Sequence, residues 1–88
     1  MTEIEIESKK KMNDLNKYDS LLRILTEHYR IARLSNDNNE QKNVVEDMIS
    51  LQGKILNIKT WFNSNNIGIV YIHNPGRRYY YRGYSNAV

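Results

Sequence analysis

The chain has 88 residues, no cysteine and a formal net charge of +3 at pH 7. This length predicts a single domain that buries only about 60% of its unfolded surface, so a second copy would add stability and a homodimer is an open alternative. The lack of cysteine excludes disulfide bonds and thiolate metal sites. An acidic N-terminus and the lack of any apolar stretch near ~18 residues predict a cytoplasmic protein without a membrane span.

The charged residues are unevenly divided along the chain. All ten acidic residues lie at or before Asp47, whereas the residues after it include five basic side chains and no acidic one. The five are Lys54, Lys59, Arg77, Arg78 and Arg82. A division of this kind bears on partners rather than on fold, and it predicts a partner with negative charge. The alternative is that the uneven division of charge arose by chance in a short chain, and that the basic residues only aid solubility.

The first dozen residues allow two local structures. Ile4 and Ile6 alternate with glutamates, which favours a short edge strand. Thr2 and Glu5 fit a capping box that would start a helix early. We therefore expect residues 1–12 to be a mobile or short-strand segment, followed by a single domain over residues 13–88.

A first helix is predicted from the apolar residues between Leu15 and Ala32. They recur at spacings of three and four, which places them on one face of a helix. Asn13 or Asp14 can cap its start. The helix should end near Ser35, because the Asn and Asp residues that follow favour a turn.

A second helix is predicted from about residue 40. Its apolar face runs from Val44 to Phe62 with the same spacing and keeps its phase through Gly53, which favours one continuous helix in an antiparallel helical hairpin. The Asn-rich residues 63–66 should end it.

A turn at Gln52 and Gly53 is the alternative, with separate helices over residues 40–51 and 54–65 in a helix-turn-helix. In this form the chain resembles a winged-helix DNA-binding domain over roughly residues 40–84. The residues that match the spacing of a recognition helix, its left-handed stop and the next strand are Ile55, Ile58, Phe62, Asn66 and Ile67. The resemblance implies a DNA-contacting helix, with Lys54 and Lys59 as its only cations, and a basic wing.

A β-hairpin is predicted at the C-terminus. Residues 67–72 have a strand pattern, Asn74-Pro75-Gly76 suits a turn, and residues 79–84 form the second strand. A lone hairpin is marginal in water, so it must pack on the helices. The fold class is therefore α+β: two long antiparallel helices, or a helix-turn-helix, followed by a C-terminal β-hairpin, with or without a short N-terminal strand.

The hairpin is also similar to the opening hairpin of GIY-YIG nucleases. The matching stretches are residues 68–74 and 80–85, where Val70 replaces a tyrosine and Arg82 replaces an isoleucine. The family's catalytic arginine and metal-binding glutamate would lie beyond Val88. The resemblance therefore implies a remnant of such a nuclease or a shared hairpin, without nuclease activity.

No catalytic constellation is expected from the sequence. Neither His28 nor His73 has a neighbour at metal-ligand spacing. Glu46 and Asp47 are adjacent, so a helix would point them about 100° apart and they would not form an acid/base pair. We therefore predict a protein that is not an enzyme and has no metal site and no cofactor.

The second strand carries the predicted binding site. Alternation places Arg78, Tyr80, Arg82 and Tyr84 on one face, and Arg77 extends this face at the turn. Arginine donates a planar fork to phosphate, and tyrosine rings stack on bases. The sequence therefore predicts an accessory or regulatory protein that binds nucleic acid, DNA in the first place, with Lys54 and Lys59 alongside.

Two other roles for these side chains are open. Tyrosine and arginine are also enriched at the hot spots of protein interfaces. The composition, rich in Asn, Lys, Ile and Tyr, is typical of AT-rich coding DNA. The alternative function is therefore a phage- or virus-encoded inhibitor or adaptor that binds an acidic surface of a host protein. A purely structural role, in which arginine stems cover tyrosine rings, is the third.

Overall fold

The structure, a computed structural model, describes residues 2–73 and 76–84, and of residues 83 and 84 it describes only the backbone. Helix α1 spans Glu3–Leu34 and helix α2 spans Asn38–Ser64. Strands β1 (Ile67–Ile72) and β2 (Arg78–Tyr84) follow as an antiparallel pair. This order confirms the predicted α+β class. Within the described ranges, neither helix is long and apolar enough to cross a membrane.

Helix α1 begins at Glu3, well before the start predicted near residue 13. The hydroxyl of Thr2 accepts a hydrogen bond from the N–H of Glu5 at 3.3 Å and donates one to the Glu5 carboxylate at 3.2 Å. The first of these bonds satisfies the N–H of Glu5, an otherwise unpaired backbone donor of the first turn, so Thr2 acts as the N-cap residue. The early start of the helix is confirmed, and the short strand expected at residues 4–6 is wrong.

The first turns of α1 belong to the folded domain. Ser8 and Met12 are buried, whereas Lys9 and Lys10 are exposed. The Ser8 hydroxyl donates to the carbonyl oxygen of Ile4 at 2.6 Å, which removes the cost of burying it. The expectation of a mobile or short-strand segment over residues 1–12 is therefore replaced by a packed helix.

Three residues connect the two helices. Asn36 has a φ of 56°, in the left-handed region that Asn tolerates better than most residues. The side chain of Asp37 then accepts a hydrogen bond from the N–H of Glu40 at 3.0 Å and caps α2. So short a connection returns α2 antiparallel to α1.

Helix α2 runs through Gln52 and Gly53 without interruption. The alternative of separate helices over residues 40–51 and 54–65 is therefore wrong, and the turn on which the winged-helix resemblance depended is replaced by helix. Gly53 is exposed, and a Cβ atom added there would meet no atom within 4 Å. The buried residues Leu51 and Ile55 continue the apolar face on either side of it.

The core lies where the hairpin covers the helix pair. Leu15 and Phe62 are fully buried at its centre. The buried cluster consists of Met12, Leu15, Ile55, Ile58, Phe62 and Ile67. The partly buried side chains packed on it are Tyr18, Leu22, Trp61, Ile69 and Tyr79. Both strands and both helices contribute to this cluster, so the hairpin and the helices stabilise each other.

Asn16 of α1 holds the outer edge of β2. Its side-chain nitrogen donates to the carbonyl oxygen of Tyr79 at 3.1 Å, and its Oδ1 accepts from the N–H of Tyr79 at 2.6 Å. The amide therefore pairs with β2 as a neighbouring strand would. Backbone groups that a two-stranded sheet leaves unpaired at its edge are satisfied by the helix.

Arg23 of α1 holds the hairpin near its turn. Its Nη1 donates to the Tyr71 hydroxyl at 2.8 Å, to the carbonyl oxygen of Arg77 at 3.2 Å and to Asp19 at 2.9 Å, and its Nη2 donates to Ser20 at 3.1 Å. Asn16 and Arg23 are seven residues apart, two helical turns, so both point to the same side of α1.

Replacing Gly53 with Ala is expected to raise the free energy of unfolding by about 1 kcal/mol, because Gly is that much worse than Ala inside a helix and the new Cβ has open space. Urea denaturation followed by circular dichroism measures the change. Gln52→Ala is the matched control and should stay within roughly 0.5 kcal/mol, because Gln and Ala have similar helix propensity. A loss of stability in Gly53→Ala would contradict a continuous α2.

Asn16→Ala is expected to lower the free energy of unfolding by about 1–3 kcal/mol, because the edge of β2 loses a donor and an acceptor at once. The same denaturation assay measures the loss. Asn13→Ala, an exposed asparagine one turn earlier, should change stability by less than about 0.5 kcal/mol. Equal effects of the two substitutions would show that Asn16 does not hold the strand.

Candidate nucleic-acid interface

The outer face of the hairpin carries Arg78 and Tyr80. Ile69 and Tyr79 pack on the core and define the inner face of the hairpin. Because side chains alternate along β2, the residues on either side of Tyr79 point outward. Arg78 is exposed, and its guanidinium carbon lies 5.3 Å from the centroid of the Tyr80 ring. A cation and an exposed ring therefore lie together on this face, as the sequence predicts.

Two exposed aliphatic side chains complete the outer face. In the register, Ile72 lies opposite Arg78 and Val70 lies opposite Tyr80, and each aliphatic residue is 39% exposed. The outer face therefore has an arginine, a tyrosine and two β-branched side chains rather than arginine and tyrosine alone.

The predicted alternation is interrupted after Tyr81. Gly68 pairs with Gly83 but Ile69 pairs with Tyr81, so Arg82 has no residue of β1 opposite it. Such a bulge re-aims side chains beyond it. Arg82 is exposed, as expected.

Two further predicted contacts are those of Arg77 and Tyr84. Arg77 is exposed just before β2, and only its carbonyl oxygen is engaged by Arg23. The predicted contact by the Tyr84 side chain lies outside the described residues.

The hairpin arginines are not neutralised by carboxylates of the described residues. The three ion pairs found there are Glu7–Lys11 at 3.3 Å, Asp19–Arg23 at 2.9 Å, and Glu27–Arg30. All three lie within α1, and none involves Arg77, Arg78 or Arg82. Asp19 is held by the same Arg23 nitrogen that binds the hairpin, so its charge is already paired.

The two lysines of α2 predicted to contact the ligand, Lys54 and Lys59, lie on different sides of the helix pair. Lys59 lies 4.9 Å from the centroid of the Tyr79 ring and borders the groove beside β1. Lys54 lies over Tyr18 at 5.4 Å and lines a different groove, with Leu21. Five residues of helix separate their directions by about 140°. The structure therefore brings Lys59, and not Lys54, to the hairpin.

A groove between α1 and β2 adds residues that the sequence reasoning missed. Its lining is Lys9, Met12 and Asn13 from α1 and Arg78, Tyr79, Tyr80 and Tyr81 from β2, and its volume is about 290 Å³. None of the described residues in this lining carries a carboxylate. Lys9 and Asn13 are four residues apart, so they lie side by side only if residues 9–13 are helical. Their shared place in the groove could be predicted from the sequence only if the helix were known to begin at Glu3.

Comparisons with protein-family models, with curated proteins and with solved structures found no match to this chain.

Proposed function

We propose that the chain binds nucleic acid, DNA in the first place, through its C-terminal hairpin, in an accessory or regulatory role without catalysis. The observation that carries the proposal is the exposure of Arg77, Arg78 and Arg82 with no ion pair to any carboxylate of the described residues. Unpaired guanidinium groups on a supported strand form a positive surface whose charge is available to phosphate.

Each part of the surface has a role in this proposal. Arg77, Arg78 and Arg82 donate to phosphate oxygens, since a guanidinium can make two parallel hydrogen bonds to one phosphate. Tyr80, with Arg78 beside it, offers an aromatic ring to a base or a sugar. Lys59 adds charge at the edge of β1.

The salt dependence of binding tests this proposal. Three arginines that each neutralise about one phosphate should make log Kobs for duplex DNA fall with log [salt] with a slope near −3. Fluorescence anisotropy between about 50 and 200 mM NaCl measures the slope. In the double variant Arg78→Gln, Arg82→Gln, the slope should become shallower, about −1 instead of about −3, because two phosphate contacts are lost.

The matched control is Arg33→Gln, Lys42→Gln, which also removes two positive charges. Both of these residues are exposed and lie beside the connection between α1 and α2, away from the hairpin. The control should keep the slope of the unmodified chain. Absence of binding at the lowest salt, or equal loss in both double variants, would contradict a contact made by the hairpin.

A protein partner is the second candidate, and a specific observation favours it. The exposed Val70 and Ile72 lie beside Arg78 and Tyr80, and protein interfaces combine an apolar centre with arginine and tyrosine. An acidic surface on a host protein would fit this face. In that case Val70→Thr, Ile72→Thr should abolish capture of the partner, whereas phosphate binding should stay within about twofold because no charge is lost.

A further inference from the structure

We infer that the hairpin surface takes single-stranded nucleic acid in preference to a duplex, with one base in the groove between α1 and β2. This inference rests on the proposed function and adds the form of the ligand. It is carried by the composition of the groove: Arg78 and three tyrosines of β2 line one side, with Tyr80 on the outer face beside Arg78, and Lys9, Met12 and Asn13 of α1 line the other.

Two of the tyrosines that line the groove are exposed to solvent. Tyr80, on the outer face of the hairpin, is 38% exposed, and Tyr81, on the inner face, is 43% exposed. Stacking of a base on such a ring strengthens binding, and it requires a base whose face is accessible. In a duplex the faces of the bases are covered by their neighbours, so only base edges and phosphates can be contacted. Exposed rings therefore favour a single strand.

The attachment of the hairpin to the helices also favours a single strand over a duplex. A two-stranded ribbon that reads a duplex enters the major groove, which is about 12 Å wide. Here Asn16 holds the edge of β2, Arg23 holds the hairpin near its turn, and Phe62 packs edge-on against Tyr81 at 6.2 Å. A ribbon that is attached to the helices along its length does not project far enough to enter the major groove, and it presents a shallow groove instead.

The size and charge of the groove fit one nucleotide. Its volume of about 290 Å³ lies just below the range for small-ligand sites, roughly 300–1,000 Å³, and so admits a single base. Lys9 and Arg78 supply a cation on each wall for the phosphates that flank a base. The Asn13 amide can donate to and accept from a base edge.

Fluorescence anisotropy with a labelled single-stranded oligothymidine and a labelled hairpin duplex of equal phosphate number tests the inference. At low salt the single strand is expected to bind at least tenfold more tightly. Tyr80→Leu should weaken single-strand binding about tenfold, whereas Tyr80→Phe should retain it, because the phenylalanine ring can still stack. Circular dichroism confirms that each variant is folded.

Lys9→Gln and Lys10→Gln form a matched pair. The two residues are neighbours in one lysine run, but only Lys9 lines the groove. Lys9→Gln should reduce the salt slope for the single strand by about 0.7, and Lys10→Gln should leave it unchanged.

The outcomes separate this inference from the proposed function. Equal or tighter binding of the duplex, or equal loss in Tyr80→Leu and Tyr80→Phe, overturns the preference for single strands while nucleic-acid binding stands. A failure of both oligonucleotides to bind at low salt overturns the proposed function and the inference with it.

Discussion

The arrangement of this molecule depends on the contact between the Asn16 side chain and the backbone of Tyr79. A two-stranded hairpin is marginal by itself, and each of its edges has unpaired backbone groups. One amide on α1 pairs with a donor and an acceptor of β2, and it does so in the same place where the inner face of the hairpin meets the core. The contact therefore fixes the edge of β2 against α1 while the inner face of the hairpin packs on the core.

The orientation of the hairpin decides the electrostatics of the surface. Ile69 and Tyr79 are directed to the core, so Arg78 and Tyr80 are directed to solvent. The acidic residues all precede β1 in the chain, and those that form ion pairs in the described residues do so with partners on α1. Within the described residues no carboxylate forms an ion pair with a hairpin arginine, and Asp19, which lies beside the hairpin, is bound by Arg23 instead.

Local patterns in the sequence predict most of the fold. The three-and-four spacing of apolar residues identifies both helices, and the change to a period of two identifies the strands at nearly their observed bounds. The start of α1 is harder, because alternating Ile and Glu fit a strand over so few residues. The capping contact of Thr2 with Glu5 and the burial of Ser8 decide in favour of a helix.

The candidate site is only partly predictable from the sequence. Alternation along β2 correctly places Arg78 and Tyr80 outward. Local sequence patterns do not predict the bulge at Arg82, because it depends on the register between β1 and β2. They do not predict the contribution of Lys9 either, because it depends on how α1 packs against β2, more than sixty residues away in the chain. The separation of Lys54 from Lys59 follows from helix geometry once α2 is known to be continuous.

Amide hydrogen exchange at Tyr79 tests the central contact most directly. In the register Tyr79 lies opposite Tyr71, and its N–H donates to Asn16 on the side away from β1. If Asn16 holds the edge of β2, this amide exchanges as slowly as the buried amides of α2, which report the global stability. Exchange at the rate of an unprotected peptide, with the amides of α2 still protected, would contradict the contact and the fixed position of β2 against α1 that follows from it.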